Sequence, residues 1–272
     1  MRIAIAITFF YRHSRLEYLS QVCAAHRELG VEYSLFVITN TSEPREHRII
    51  EINAKHEDIK IISPKYIGHP YLLTWAHRDI FREILANQLG YTHFFYTEDD
   101  LLFTRSNMTY WLEASEKLKP TTLIPGIMRY EINCNEEIVS SDITQQHQLE
   151  STPKIIIDGS TYVSLRQPYQ GMYFLDKEQA IELLFTSASS PDTGIWGIRE
   201  KAAQGLTYWN VPNGAYSRIV VPITEDNQID PRSLVHHLPN NYANDPNMPG
   251  GKILIKDIFT TNQEQINKNP AG

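Results

Sequence analysis

Short apolar runs alternate with amphipathic helical patterns through the first third of the chain, and this alternation leaves few folds open. Residues 3–8 form an apolar run too short for a helix. It is closed by the polar-aromatic stretch Phe9-Phe10-Tyr11-Arg12-His13-Ser14, which predicts a buried strand ending in a turn. In 15–29, Leu16, Leu19, Val22, Cys23, His26 and Leu29 fall on one helical stripe, and Gly30 supplies a C-cap. A strand over 33–38, a helix over 45–54 and a strand over 59–62 follow. A long helix is then expected over 71–89, with Leu72, Ala76, Ile80, Ile84 and Leu85 inward and Gly90 at its end. This rhythm predicts an α/β fold: a mostly parallel, doubly wound central sheet with helices on both faces.

The next strand ends in an unusual way. His93-Phe94-Phe95-Tyr96-Thr97 runs directly into Glu98-Asp99-Asp100, after which Leu101-Leu102-Phe103 resumes the apolar pattern. Three adjacent carboxylates repel one another in a dry site, and a divalent cation removes that repulsion. Mg²⁺ and Mn²⁺ both favour oxygen ligands. In extended chain Glu98 and Asp100 share a face and Asp99 points away. The plainer reading is a solvated acidic turn. In open parallel sheets, ligands bind beyond the carboxyl ends of the strands. The turn holding Phe10, Tyr11 and Arg12 and the acidic turn both belong to that edge. The first can stack a base and neutralise phosphate; the second can hold a metal on the same diphosphate. The first turn has no G-x-G-x-x-G and no Walker pattern, which counts against a dinucleotide dehydrogenase and a P-loop NTPase.

Composition sets outer limits. Of 272 residues, 25 are Lys or Arg and 32 are Asp or Glu, a net charge of −7. An acidic chain without a basic cluster argues against nucleic acid as a partner. Cys23 and Cys134 are far apart and neither is in a C-x-x-C pair, so a reduced cytoplasmic setting is expected, with Cys23 in the core. No apolar run reaches membrane-spanning length, and the N-terminal apolar stretch breaks at Arg12-His13, unlike a signal peptide.

The second half differs in character. A strand is expected over 123–128 and a polar excursion over 134–153. Short strands over 154–157 and 162–165 flank the turn signal Asp158-Gly159. Gly171 leads an apolar run to Leu175, and Asp176 opens a helix that extends to Phe185. Asp192 lies in Pro191-Asp192-Thr193-Gly194 ahead of a helix over 195–204, and His236-His237 stands in an apolar setting near the end.

In their order these features resemble metal-dependent glycosyltransferases of the GT-A fold. That family has a nucleotide-binding first βα turn and a strand ending in a D-x-D-type acidic motif. A glycine-led strand, an acid at a helix start and a late histidine follow. The counterparts here are Glu98-Asp99-Asp100, the run from Gly171, Asp192, and His236 or His237. Two departures stand out: the first acid is Glu98 rather than Asp, and Asp192 lacks a neighbouring acid. The resemblance implies a single GT-A-like catalytic domain over 1–260, with a nucleotide-binding half (1–105) and an acceptor and sugar half (106–260), and then a polar tail (261–272). It implies a nucleotide-diphospho-sugar donor and a glycan or glycolipid acceptor, and leaves peripheral membrane contact open. Mn²⁺ or Mg²⁺ would sit on Asp100 and Glu98 with His237 or His236. Phe10, Tyr11, Arg12, Arg78, Glu98, Asp99 and Gly171 would hold the donor, and Asp192 would be the base of an inverting reaction.

Each residue has a plainer alternative. Asp192 could be a helix cap and Gly171 a strand glycine. Arg12, Arg15 and Arg78 could be surface charges, and Trp196 core rather than a sugar platform. Two other functions are consistent with the fold: a sugar nucleotidylyltransferase, and a silent carbohydrate- or nucleotide-binding module. The first usually carries a glycine-rich loop after its first strand; residues 9–14 contain no glycine.

Overall fold

In the computed structural model the described residues are 1–65, 68–190, 192, 194 and 196–260. The tail expected over 261–272 lies outside them. The chain folds as two compact units. Met1–Arg105 and Gln170–Leu206 form the first, and Ser106–Tyr169 with the chain from Thr207 onward forms the second. The first unit thus joins the N-terminal segment to the distant segment Gln170–Leu206.

The first unit is built on a five-stranded sheet. Its strands are β1 (Arg2–Phe9), β2 (Glu32–Thr39), β3 (Ile59–Ile62), β4 (His93–Glu98) and β5 (Tyr173–Asp176), in the order β5-β4-β1-β2-β3. The first four are parallel, and β5 runs antiparallel to β4. This is the mostly parallel sheet that the alternation predicts and the arrangement the GT-A resemblance implies. Its central strands are near-continuous apolar runs because both faces are covered: Ile3 to Ile7 and Phe94 to Tyr96 are fully buried. Helices α1 (Leu16–Arg27) and α2 (Pro44–Ala54) pack on each other. Helix α3 (His77–Ala86) packs on α4 (Lys177–Leu184), and α5 (Ile198–Ala203) packs on the 3-10 turn Pro70–Trp75. Asp176 caps α4 through a capping box with Gln179.

The helix expected over 71–89 is a correction. Pro70–Trp75 is a 3-10 turn and the α-helix starts only at His77. The buried stripe is Leu73, His77, Phe81 and Ile84, whereas Leu72 is exposed. The cause is aromatic: Phe81 meets Phe94 edge-on at 5.3 Å and the His77 ring stacks on Tyr96 at 3.9 Å, and those contacts set the rotation of the helix.

In the second unit the helix Arg105–Leu118 (from Ser106 on) buries Met108, Tyr110 and Trp111. Lys154–Ile157 and Ser160–Ser164 form the expected hairpin. Asp158 (φ 47°) and Gly159 (φ 72°) are both left-handed at its turn, as a two-residue primed turn requires. Ile219–Ile223 pairs with Ser160–Ser164, and Leu234–His237 pairs in parallel with Met128–Ile132. The stretch 134–153, expected as a polar excursion, contains the short strands Ile138–Ser140 and His147–Gln148. Among its few apolar residues Val139, Ile143 and Leu149 are buried and Ile138 is exposed. Too few to make a period, they gave no strand signal.

One core residue has a stability consequence. His26 in α1 is fully buried against Phe95, and neither ring nitrogen has a hydrogen-bond partner. Burial, then the charges of His56 and Arg27, lower its pKa from 6.5 to about 3. The unfolded chain therefore binds the proton between those values and the folded chain does not. Stability is fully present above about pH 6.5 and falls as the pH drops through that window. His26→Leu is expected to remove about 2 kcal/mol of the stability lost between pH 7 and pH 5. Urea titrations at the two pH values measure this; an unchanged difference between wild type and variant would refute it.

Candidate active site

Parallel strands deliver their following loops to one edge, and three of those loops in the first unit build one cavity of about 420 Å³. The turn after β1 supplies Phe10, Arg12 and Arg15 together with Thr8. The segment after β3 supplies Pro70, Tyr71, Leu73 and Thr74, and the end of β4 supplies Glu98, Asp99 and Asp100. Arg199, in the first turn of α5, completes the lining. The strand register explains the meeting of the first and third groups, since Thr8 pairs with Glu98 across β1 and β4.

The acidic turn is buried: Glu98, Asp99 and Asp100 are 7%, 4% and 5% exposed, which excludes the solvated-turn reading. Arg15 neutralises part of it through a fork. Its Nε donates to Asp99 Oδ2 at 2.8 Å, and its Nη2 donates to Asp99 Oδ1 and Asp100 Oδ2, each at 2.7 Å. Arg199 Nε lies 3.7 Å from Glu98 Oε1. Burial works to lower the Arg15 pKa, but the hydrogen bonds and charges of Asp99 and Asp100 outweigh it and hold the guanidinium protonated. Burial, together with the adjacent Asp100 and Glu98 charges, holds Asp99 above the usual carboxylate range against the pull of Arg15. Three carboxylates thus face three guanidiniums, those of Arg12, Arg15 and Arg199, in one cavity.

This balance bears on a metal. Among the described residues no group of three or more His, Cys, Asp and Glu side chains converges as a ready-made cation site. Arg15 takes both oxygens of Asp99 and one of Asp100. Glu98 and Asp100 are hard oxygen donors suited to Mg²⁺ or Mn²⁺, which keep water and phosphate oxygens in their remaining positions. The donor chemistry fits a divalent cation that arrives with a phosphate ligand. The lining holds as many carboxylates as guanidiniums, so an anionic phosphate ligand entering it would lack a net counter-charge.

Beneath the cavity a buried polar group holds its wall. The carbonyl of Thr74 can only accept, so His77 Nδ1 carries the proton and donates to it at 2.6 Å, while His77 Nε2 accepts from the Tyr173 hydroxyl. Burial, then the Arg78 charge, keeps His77 neutral by lowering its pKa well below 6.5.

Phe10, Arg12, Glu98, Asp99 and Asp100 line the cavity together; Tyr11, Arg78, Gly171 and Asp192 are not among its lining residues. Tyr11 is not in the lining; its ring meets Phe9 edge-on at 6.0 Å and its N–H donates to Asn40 Oδ1 at 2.6 Å. Arg78 is 2% exposed, lies 4.2 Å over the Trp75 ring and donates to the carbonyl of Ala202 at 3.2 Å. It anchors α5 rather than reaching the cavity. Gly171 (φ 66°) precedes β5 in a left-handed conformation that glycine adopts without strain. Asp192 is exposed, and its Oδ1 accepts the Gly194 N–H at 3.0 Å. The N-cap of α5 is Gly197, so Asp192 holds a local turn rather than capping that helix. In the second unit His237 Nδ1 is 2.5 Å from Glu131 Oε1, and His236 Nε2 is 2.9 Å from Asn240 Oδ1.

Sequence reading weighed Arg15 only as a surface charge or a phosphate ligand, not as the partner of the acidic turn, and missed Tyr71, Thr74 and Arg199. Arg15 had a usable signal: it closes the same turn as Arg12, opposite three acids. The others come from segments far away in the chain, and nothing local marks them.

No family model and no curated protein matches the chain. Solved structures do resemble it in part. TarS residues 1–349 from S. aureus align at 10% identity and a TM-score of 0.43, over 75% of this chain and 56% of that one. LgtC, a galactosyltransferase solved with donor and acceptor sugar analogs, aligns at 14% and 0.36, over 76% and 70%. The bifunctional glycosyltransferase WbbM aligns at 11% and 0.31, over 46% and 23%. The chain therefore spans 56% of the TarS fragment, and 25% of a longer TarS structure.

Proposed function

We propose that this chain is a glycosyltransferase that moves a sugar from a nucleotide-diphospho-sugar to an acceptor hydroxyl. The observation that carries the reading is the cavity at the carboxyl edge of the parallel sheet. There, aromatic rings, three guanidiniums and a buried acidic triplet converge from three separate loops and α5. A diphosphate needs cations and a nucleoside needs apolar surface; few other ligands use both beside carboxylates.

Arg12 and Arg199 bind the phosphate oxygens. Arg15 holds Asp99 and Asp100 in place, so the acidic turn is pre-organised before substrate arrives. Glu98 and Asp100 would hold a divalent cation, which would supply positive charge to stabilise the leaving diphosphate. The acceptor hydroxyl attacks the anomeric carbon and gives up its proton as the bond to the diphosphate breaks. In an inverting reaction Asp192 takes the proton; in a retaining one the departing diphosphate oxygen takes it and Asp192 orients the sugar or the acceptor.

Asp192→Asn separates these roles. Asn keeps the side-chain oxygen that accepts the Gly194 N–H, so the turn survives and only the basicity is lost. Donor binding is expected to be unchanged and transfer to fall by roughly 10²–10⁴. Transfer near the wild-type rate would remove Asp192 as base.

The function is tested by incubation with a panel of nucleotide sugars and Mn²⁺. Slow release of free nucleoside diphosphate from at least one donor is expected. Formation of pyrophosphate from a sugar phosphate and a nucleoside triphosphate would favour the nucleotidylyltransferase instead. A panel with no turnover would favour the silent module.

A further inference from the structure

The donor cavity has two chemically distinct parts. Arginines and carboxylates form one, and Phe10, Pro70, Tyr71 and Leu73 form the other. The first βα turn is the natural place to seek a base platform, yet its aromatic rings are already engaged. The Arg12 guanidinium lies 5.6 Å from the centre of the Phe10 ring, and Tyr11 is outside the lining. Phe10 thereby steadies a phosphate-binding arginine.

Tyr71 differs. It lines the same cavity and is 55% exposed. Its backbone is also anchored. Its N–H donates to His69 Nδ1 at 3.2 Å, its carbonyl accepts from Thr74 Oγ1 at 2.7 Å, and its ring meets the His69 ring at 5.0 Å and 67°. Such an edge-to-face contact occupies at most one face of the Tyr71 ring and leaves the other free of it. Thr74 in turn is tied to the buried His77, so the platform rests on the core of the unit. A large aromatic side chain on an anchored backbone, exposed beside a phosphate-binding surface, suits an aromatic ligand that enters with its phosphates.

We propose that Tyr71 is the platform on which the nucleobase of the donor stacks, and that the segment 69–74 sets the nucleotide preference of the site. This deepens the donor-site reading above and rests on it. Stacking alone recognises any base, because every base offers a π face.

The test compares nucleoside diphosphates with inorganic pyrophosphate, each in the presence of Mn²⁺, by calorimetry. Pyrophosphate shares the charged end of the ligand and lacks the base. Tyr71→Ala is expected to weaken the best nucleoside diphosphate roughly 5- to 150-fold and to leave pyrophosphate affinity unchanged. Tyr71→Trp is expected to retain nucleotide affinity and to show indole fluorescence quenched by nucleotide but not by pyrophosphate. Nucleotide affinity within twofold of wild type in Tyr71→Ala overturns the platform while leaving the donor site standing. Equal loss for both ligands also overturns it, because the residue then acts on the site as a whole. A wild-type chain that binds no nucleoside diphosphate removes the donor-site reading, and this inference falls with it.

Discussion

Arg15→Ala is expected to destabilise the protein by about 3–5 kcal/mol, because it leaves buried carboxylates without their cation. Asp99 and Asp100 are 4% and 5% exposed, and Arg15 reaches three of their oxygens. Arg15→Lys should recover only part of the loss, since an ammonium cannot reproduce the planar fork. The penalty should shrink as the pH falls: the Asp99 carboxyl is already held above its usual range by burial and by the Asp100 and Glu98 charges, and takes a proton more readily than an ordinary aspartate. Added Mn²⁺ should raise the melting temperature of Arg15→Ala more than that of the wild type, because the cation replaces the missing guanidinium. Urea unfolding and thermal melts measure all of this. A stability within about 1 kcal/mol of wild type would show that the acidic turn does not depend on Arg15.

Asp100→Ala is expected to give the largest loss of activity. Asp100 joins Arg15 to the proposed cation, so its removal takes away charge stabilisation of the leaving diphosphate and one anchor of Arg15 together. Loss of one such electrostatic partner commonly costs on the order of 10²–10³ in rate. Calorimetry should also show the metal-dependent part of nucleotide binding abolished while the fold persists, because Asp99 still holds Arg15 by two bonds. Unchanged nucleotide affinity in the presence of Mn²⁺ would remove Asp100 from that role.

These expectations rest on features that were unequally legible in the sequence. The central sheet was readable because strand and helix periods differ and the chain alternates them cleanly through β4. The acidic triplet stood out in the sequence because it interrupts an apolar run, and its burial shows that it is no surface turn. Helix rotation was not readable at α3: Leu72 and Leu73 are equally apolar, and only the meeting of Phe81 with Phe94 decides which faces inward. Arg78 illustrates the same limit, since a guanidinium anchoring carbonyls of α5 looks in sequence like one that binds phosphate. Arg199 and Tyr71 reach the cavity only through tertiary placement of segments 100 or more residues from one another. The return of 170–206 to the first unit follows from β5 pairing antiparallel to β4, a non-local choice that periodicity does not encode.

The central claim is that the cavity between the turn after β1 and the end of β4 holds a nucleotide's diphosphate with a divalent cation. Calorimetric titration of the intact chain with a panel of nucleoside diphosphates, each with Mn²⁺ and again with chelator, tests it most directly. Binding of at least one nucleoside diphosphate that weakens at least tenfold on chelation is the predicted result. A chain that binds none of them under either condition would contradict it.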